Sequence, residues 1–212
     1  MVCENINTLW NSEDEQLWLN TLENYWQKLS GEQLILEKKM DSLKSEIVSR
    51  MSVDEFFSFL YEEFYVWKYT NKFYLTINRK QLWRYFAEKK MDELELLKND
   101  LFSLEHENIK QCLSCAKKFK GLGTAGASAL LSILFPENFG TVDQFVVKSL
   151  LKINNLPEHK ILEQMNPESL KLEDGVLLIN IMKNKANALN EMFLTNFWTP
   201  RKIDMILWSI GR

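Results

Sequence analysis

The sequence has few of the residues that interrupt helices and build turns. Seven of its 212 residues are glycine and four are proline. A β-sandwich, or a set of domains joined by flexible linkers, needs many more such residues, so the composition argues against both. The stretches between them are rich in Leu, Glu, Lys and Met, which favour helix. The sequence therefore predicts an all-α fold of roughly ten helices.

Cysteine is scarce as well, and occurs only as Cys3, Cys112 and Cys115. Three thiols cannot build a disulfide framework, so we expect a reduced protein of the cytoplasm. No apolar run approaches the roughly 18 residues that span a bilayer, and the first residues do not read as a signal peptide. We therefore expect no association with a membrane.

An overall excess of basic residues, the simplest signature of nucleic-acid binding, is also absent. The chain has 26 Lys and Arg against 29 Asp and Glu, a formal net charge of −3. The two halves differ, because residues 111–212 carry 12 basic and 9 acidic residues, whereas residues 1–110 carry 14 and 20. The positive excess lies in the C-terminal half, and the acidic N-terminal half would repel a duplex unless it is turned away.

Helix-start signals organise the chain without marking a linker. Ser52 with Glu55 three residues later predicts a capping box at the start of an aromatic segment. Residues 71–78 read as a short extended piece. We expect residues 1–104 to form an N-terminal helical region and residues 105–212 a second region, the two packed as one compact unit.

Three further signals predict helix starts in the second region. Thr141 with Gln144 has the spacing of another capping box. Asn166-Pro167 and Thr199-Pro200 each place a capping residue before a proline at the first helical position.

Residues 119–131, FKGLGTAGASALL, predict two helices joined by a very tight hairpin. Glycine at positions 121 and 123 permits backbone angles that other residues avoid. The open amides at the start of the second helix form a site for an anion. Three lysines directly precede the hairpin, where a phosphate would need them. The plain alternative is a glycine-capped helix that leads into another core helix.

The longer segment FKGLGTAGASALLSILFPENFGTVDQFVVKSL resembles the hairpin, connecting helix and catalytic loop of the helix-hairpin-helix DNA glycosylases. That superfamily includes endonuclease III, the adenine glycosylase and 8-oxoguanine DNA glycosylase. In that superfamily the loop ends in an apolar residue and Asp. An apolar residue follows three positions after the Asp, and a basic residue follows five positions after it. The matching residues here are Val142, Asp143, Val146 and Lys148, with Lys in place of the usual Arg.

The resemblance is specific over about residues 105–155, and the first 100 residues carry no matching motif. The closing string WTPRKIDMILWSIGR is similar to a small bacterial branch of unassigned specificity. The resemblance implies that DNA is held through its backbone without reading of sequence. The implied backbone contacts are Lys117, Lys118, Lys120, Gly121, Gly123, Thr124 and Lys148.

The resemblance implies that Asp143 is the catalytic residue of an N-glycosylase. Cleavage of an N-glycosidic bond builds oxocarbenium character on the sugar, which an ionised carboxylate stabilises. With Thr141 as N-cap, Asp143 would be the second residue of its helix, where the helix dipole favours the charged form. The alternative is that Asp143 merely decorates a helix N-terminus, where Asp is common.

Two departures from the family pattern narrow the chemistry. Members that also cut the strand carry an attacking lysine two residues after the second hairpin glycine, and here that position is Ala125. The departure implies a monofunctional enzyme that uses water and forms no Schiff base. Several members bind an iron–sulfur cluster through C-terminal cysteines, but no cysteine follows Cys115, and Cys112 with Cys115 is at best half a zinc site. We expect no metal or cluster; the resemblance implies a monovalent cation at the hairpin.

A glycosylase must also flip its target base and hold it. The segment EEFYVWKYTNKFY is dense in aromatic rings with interleaved charge, as a base pocket or a strand-facing wedge would be. For each ring the alternative is a place in the core. The candidates for the base pocket are Trp67, Lys68, Tyr69, Gln144 and Trp198.

The sequence thus favours a monofunctional DNA N-glycosylase, a monomer of the cytoplasm, associated with the nucleoid if bacterial. Two other classes stay open: a non-catalytic helix-hairpin-helix DNA-binding protein, and a helical interaction protein that does not touch DNA. The base is unassigned, since oxidised, alkylated, deaminated and phage-type modified bases all fit. DNA repair and defence against phage with modified DNA are both open as roles.

Overall fold

The computed structural model describes residues 5–212, and all regular structure in that range is helical. The all-α prediction is confirmed; Cys3 lies outside the described residues. None of the described helices is long and apolar enough to cross a bilayer. In chain order the helices are α1 (Ile6–Trp10), α2 (Glu15–Gln27), α3 (Gly31–Asp41), α4 (Ser45–Ser49), α5 (Val53–Ser58), α6 (Tyr65–Lys68), α7 (Lys72–Ala87), α8 (Met91–Ser103), α9 (Ile109–Ala116), α10 (Thr124–Leu134), α11 (Gln144–Leu150), α12 (His159–Leu162), α13 (Leu172–Phe193) and α14 (Pro200–Gly211).

Two predicted helix starts have the expected caps. The hydroxyl of Ser52 accepts from the Glu55 amide at 3.3 Å, and the Glu55 carboxylate accepts from the Ser52 amide at 2.8 Å. Thr199 Oγ1 accepts from the Lys202 amide at 3.3 Å, with Pro200 in the first turn. These caps fix the starts of α5 and α14, which are separated by more than half the chain.

Residues 71–78 are not extended, so that prediction is wrong. The side chain of Asn71 caps α7 by accepting from the Phe73 amide at 2.9 Å, and the helix continues to Ala87. The aromatic and β-branched residues of the segment favour strand by propensity alone. The helix prevails because it satisfies its backbone bonds internally and packs on α6 and α8.

The helix start predicted at Asn166-Pro167 is also wrong. Asn166 Oδ1 accepts from the Glu168 amide at 3.1 Å and closes a turn instead. Helix α13 begins only after Lys171, whose amide donates to the Asp174 carboxylate at 2.8 Å. An Asn before Pro is therefore a turn signal here.

A π-helical segment, Phe59–Phe64, joins α5 to α6 without any signal in the sequence. A π-helix holds more residues per turn than an α-helix, and such segments are frequent at functional sites. The segment changes the direction in which the next helix presents its residues. Those residues include Trp67 and Lys68.

The two regions expected from the sequence pack on each other. Helix α14 contacts α2 as well as α10, α11 and α13. The ring of Trp198 lies edge-on to that of Trp18, with centroids 5.9 Å apart. Buried residues from Ile6 to Leu207 belong to one hydrophobic core, which crosses the boundary between the regions.

Candidate active site

A tight hairpin joins α9 to α10. Helix α9 ends at Ala116, α10 begins at Thr124, and Gly121 between them has a φ of +90°. A β-carbon at Gly121 would lie 2.7 Å from the backbone oxygen of Asn78 on α7. Backbone conformation and close packing therefore both require glycine at this position.

Nothing in the fold requires glycine at position 123. Gly123 is the N-cap of α10 with a φ of −82°, and a β-carbon there would meet no atom within 4 Å. No side chain caps the helix, and the amides of Gly123, Thr124 and Ala125 donate to no acceptor within residues 5–212. Open amides at a helix N-terminus form a site for an anion such as phosphate.

Three tyrosines hold the hairpin from behind. Tyr65 donates to the carbonyl of Lys120 at 2.6 Å, and Tyr69 donates to that of Gly121 at 2.9 Å. The hydroxyl of Tyr85 accepts from the Lys120 amide at 3.3 Å. Burial raises the pKa of Tyr69, and that of Tyr85 to about 12, so both hydroxyls keep their protons. Tyr69 supports the hairpin and does not line the cavity described below.

The three lysines before the hairpin have different surroundings. Lys118 is exposed and Lys117 is partly exposed. Lys120 is turned inward, with its ammonium 4.0 Å from the centroid of the Tyr85 ring and 3.7 Å from a carboxylate oxygen of Glu93. The structure therefore brings two of the three to the hairpin surface, because Lys120 is held by a ring and a carboxylate.

Asp143 is the N-cap of α11 and not its second residue. Its Oδ1 accepts from the amides of Phe145 at 2.8 Å and Val146 at 3.1 Å, and its Oδ2 has no hydrogen bond within the described residues. The prediction that Thr141 caps this helix is wrong, because Thr141 is buried and its hydroxyl bonds that of Ser132 at 2.9 Å. One oxygen of Asp143 thus fixes the side chain, and the other is free.

The loop before Asp143 is tied to the second hairpin helix and to α14. The Val142 amide donates to the hydroxyl of Ser128 on α10 at 2.9 Å. The Thr141 amide donates to the carboxylate of Asp204 on α14 at 2.6 Å. Helix α10 therefore connects the open amides of the hairpin at its start with the carboxylate of Asp143 beyond its end.

Asp143 lines a cavity of about 290 Å³ that Trp67 and Lys68 line as well. Two of the five predicted base-pocket residues thus lie beside the predicted catalytic residue. The volume is close to the lower end of the roughly 300–1,000 Å³ of ligand sites, which suits a small flat ligand. The other aromatic and charged residues of its wall are Tyr25, Phe145, Trp208, Glu37, Arg201, Asp204 and Arg212.

A buried ion network forms the floor of the cavity. Arg201 pairs with Glu37 on α3 and with Asp204, whose oxygens lie 2.9 and 3.1 Å from Arg201 Nη1. The Trp67 ring nitrogen donates to Glu37 at 2.5 Å. Burial by itself would lower the pKa of Arg201, but Asp204 and Glu37 outweigh it and the net pKa is raised. The guanidinium is therefore a permanent charge shared by two carboxylates.

Lys68 is a cation of this cavity that has no ion pair within the described residues. It is partly buried, and its ammonium makes no hydrogen bond or ion pair within residues 5–212. Burial lowers the pKa of Lys68, and the carboxylates of Asp143, Asp204 and Glu37 oppose that shift.

Two other predicted pocket residues lie elsewhere. Trp198 is 2% exposed and packs in the core against Trp18 and Phe197, because α14 and α2 close over it. Gln144 follows Asp143 but does not line the cavity, since its amide oxygen accepts from the exposed Lys148 at 3.1 Å. A position next to a site residue on a helix faces away from it.

Sequence reasoning missed the residues that fix the cavity. Glu37 lies in a charged helix that offers no motif. Arg201 and Asp204 stand in the closing string RKID, where the spacing of three would have indicated an ion pair on one helix face. No sequence signal joins either residue to Glu37, 164 positions away from Arg201.

Cys112 and Cys115 are buried and free. Burial raises the pKa of both thiols, that of Cys112 to about 11. Within residues 5–212, no group of three or more His, Cys, Asp or Glu side chains is arranged to hold a metal ion.

Comparison of the chain with protein-family models, with curated proteins and with solved structures gave no match. The functional interpretation therefore depends on the residues and their geometry.

The two hairpin glycines should respond differently to substitution. Gly121→Ala should lower the free energy of unfolding by at least about 2 kcal/mol, because alanine is strained at this φ and its β-carbon meets the Asn78 oxygen. Gly123→Ser should raise the free energy of unfolding or keep it within about 0.5 kcal/mol of the wild-type value, because serine is a good N-cap. Urea denaturation measures both; equal losses would contradict the hairpin geometry.

Proposed function

We propose that the chain is a monofunctional DNA N-glycosylase, which hydrolyses the bond between a damaged or modified base and its deoxyribose. One observation carries the proposal. Asp143, Trp67 and Lys68, which the sequence singled out for chemistry and base binding, line a single cavity. Helix α10, whose Ser128 accepts from the Val142 amide next to Asp143, begins at a hairpin with open amides.

The hairpin holds the DNA backbone in this proposal. The amides of Gly123, Thr124 and Ala125 donate to a phosphate oxygen, with Lys117 and Lys118 beside them. Such contacts fix the position of the duplex without reading its sequence. Selectivity then comes from the base that enters the cavity.

A monovalent cation at the hairpin, which the resemblance implies, is not needed for these contacts. The carbonyls of Lys120 and Gly121 accept tyrosine hydroxyls, and the Phe119 carbonyl accepts the Leu122 amide at 3.0 Å. Each of these oxygens already accepts a hydrogen bond within the protein.

The neighbouring helix α7 offers a second surface suited to DNA. Its first turn follows the cavity residue Thr70 and exposes Phe73 and Tyr74, by 67% and 57%. Residues 72–87 carry four basic residues and no acidic one. Asn78 on the same helix touches Gly121, so a duplex held at the hairpin would lie next to these rings and cations.

Asp143 performs the central step. As the glycosidic C–N bond breaks, its electron pair leaves with the base and positive charge grows on the sugar. The free Oδ2 of Asp143 stabilises that charge and orients a water molecule, whose oxygen then bonds to C1′. The water releases one proton in this step, and the departing base takes one up. The products are the free base and an abasic site. With Ala125 in place of an attacking amine, no covalent intermediate forms at that position.

Base release is the direct test. Duplexes that each contain one oxidised, deaminated, alkylated or phage-type modified base are incubated with the protein, and mass spectrometry identifies any free base. Release of one base supports the proposal and assigns the substrate. If every duplex is bound tightly and none is cleaved, the chain is a non-catalytic DNA-binding protein instead.

Gly123→Asp should separate fold from DNA binding. A carboxylate at this N-cap should stabilise the isolated protein by about 0.3–1 kcal/mol, and should weaken binding to all duplexes about tenfold or more by repelling phosphate. Fluorescence anisotropy over a salt series measures binding, with Gly123→Asn as the uncharged control. Unchanged binding by Gly123→Asp would exclude the hairpin as the phosphate site.

Ala125 predicts that no Schiff base forms. Borohydride added during the reaction on a duplex whose base is released should trap no covalent adduct, since the family's amine position holds a methyl group. Denaturing electrophoresis detects an adduct. A stoichiometric adduct would contradict the hydrolytic mechanism and would show that another amine attacks the sugar.

Asp143→Asn should slow base release by about 10²-fold or more, because the charge that stabilises the sugar is lost. DNA affinity and fold should survive, since asparagine caps helices about as well as aspartate. The chain offers a matched control in Asp14, the N-cap of α2, which accepts from two amides at 2.9 and 3.2 Å in the same way. Asp14→Asn should leave base release unchanged. Equal rates for Asp143→Asn and the wild type would reduce Asp143 to a helix cap.

A further inference from the structure

The cavity contains two charged groups of opposite sign that the fold does not use. One is Oδ2 of Asp143, and the other is the ammonium of Lys68, neither of which has a hydrogen bond within residues 5–212. The buried charges of Arg201, Glu37 and Asp204 are paired with one another. The fold leaves these two side chains free for a ligand.

Cleavage of a glycosidic bond develops two charges as well. Positive charge grows on the sugar, and the proposed function assigns it to Asp143. An equal negative charge grows on the departing base, because the base takes the electron pair of the bond. The charge of Arg201 is already shared by two carboxylates, and the guanidinium of Arg212 lies over the Trp208 ring, 4.8 Å from its centroid. Lys68 is the cavity cation that has no partner of its own.

We propose that Lys68 is the general acid that protonates the departing base. It would restrict the substrates to bases that are neutral in DNA and that would leave as anions without this proton. This inference rests on the proposed function. The ammonium donates a hydrogen bond to a nitrogen or oxygen of the flipped base and gives up its proton as the C–N bond breaks. The water that bonds to C1′ releases a proton, which restores the ammonium. In the overall reaction, DNA that carries the modified base reacts with water to give the free base and an abasic site.

The environment of Lys68 suits it to donate a proton. Burial lowers its pKa from that of a solvent-exposed lysine and Arg201 lowers it further, while the facing carboxylates of Asp143, Asp204 and Glu37 hold the charged form against them. Tyr25 and Arg212 are the other titratable groups of the wall. A donor with a lowered pKa releases its proton more easily to a base anion. Activity should therefore fall as pH rises through this lowered pKa, because the ammonium is lost.

The same ammonium disfavours bases that already carry a positive charge. A 7-methylguanine leaves as a neutral molecule and needs no proton, so Lys68 gives it no assistance. Its cationic ring would also lie beside the partly buried ammonium, where like charges repel more strongly than in bulk water. The proposal therefore predicts poor release of N-alkylated purine cations compared with neutral modified bases.

The test compares variants at position 68 on two groups of duplexes. The neutral group contains single uracil, hypoxanthine, 8-oxoguanine or 5-hydroxymethylcytosine, and the cationic probe contains 7-methylguanine. Lys68→Met should slow release of the neutral base by about 10²-fold or more, and should leave release of 7-methylguanine unchanged or faster. Lys68→Arg should retain more activity and move the alkaline limb of the kcat/KM profile to higher pH. Lys38→Met, an exposed lysine outside the cavity, is the control.

Five results would overturn the inference. Lys68→Met could release the neutral base at the wild-type rate, or it could slow neutral and cationic bases alike, which a structural role would produce. A borohydride adduct that forms with the wild type and not with Lys68→Arg would make Lys68 a nucleophile. Release of 7-methylguanine alone by the wild type would sink this inference and leave the glycosylase proposal standing, whereas release of no base at all would remove both.

Discussion

The geometry of the site depends on one buried guanidinium. Arg201 lies between Glu37 on α3 and Asp204 on its own helix, and it is 5% exposed. Each carboxylate also holds something at the cavity. Glu37 accepts from the Trp67 ring nitrogen, and Asp204 accepts from the Thr141 amide, two residues before Asp143. Loss of the guanidinium would leave two buried carboxylates without a counter-charge, which costs far more than an exposed ion pair contributes.

This network also determines which charges face the cavity. Burial raises the pKa of Asp204, and Arg201 and the Thr141 amide oppose this shift, so the resulting pKa is about 6. The ionised carboxylate therefore predominates at neutral pH. Arg201 with its two partners therefore contributes a net negative charge near Lys68, which favours the ammonium against desolvation. The charges that remain available to a ligand are those of Lys68 and of the free oxygen of Asp143, because Arg201, Glu37 and Asp204 pair with one another.

Local signals in the sequence predicted more than long-range ones. The hairpin, the caps at Ser52 and Thr199, and a carboxylate at a helix start all depend on residues within a few positions of one another. Glu37 and Arg201 could not be paired in advance, because their contact is set by how α3 and α14 cross. The same reason explains Lys120, which the pattern places at the phosphate and the fold places on Tyr85.

Aromatic residues were the least predictable group. Tyr69 lies in the same aromatic segment as Trp67 and Trp198 lies before the last helix, yet Tyr69 supports the hairpin and Trp198 fills the core. Two features bring Trp67 to the cavity. It lies on α6 directly after the π-helical segment, and its ring nitrogen is held by Glu37. Neither feature has a sequence pattern.

The start of α10 lacks a side-chain cap that would stabilise the fold. Three of the six helices from α9 to α14 have a side-chain N-cap, at Asn108, Asp143 and Thr199, whereas α10 begins at a bare glycine in an ordinary extended conformation. A capping side chain there would satisfy an open amide and would meet no steric obstacle. A helix that is left uncapped at its exposed end, on a hairpin that three tyrosines hold in place, leaves its donors to a ligand. Natural chains keep such local deficits chiefly at functional sites, and an anion is the ligand that these donors fit.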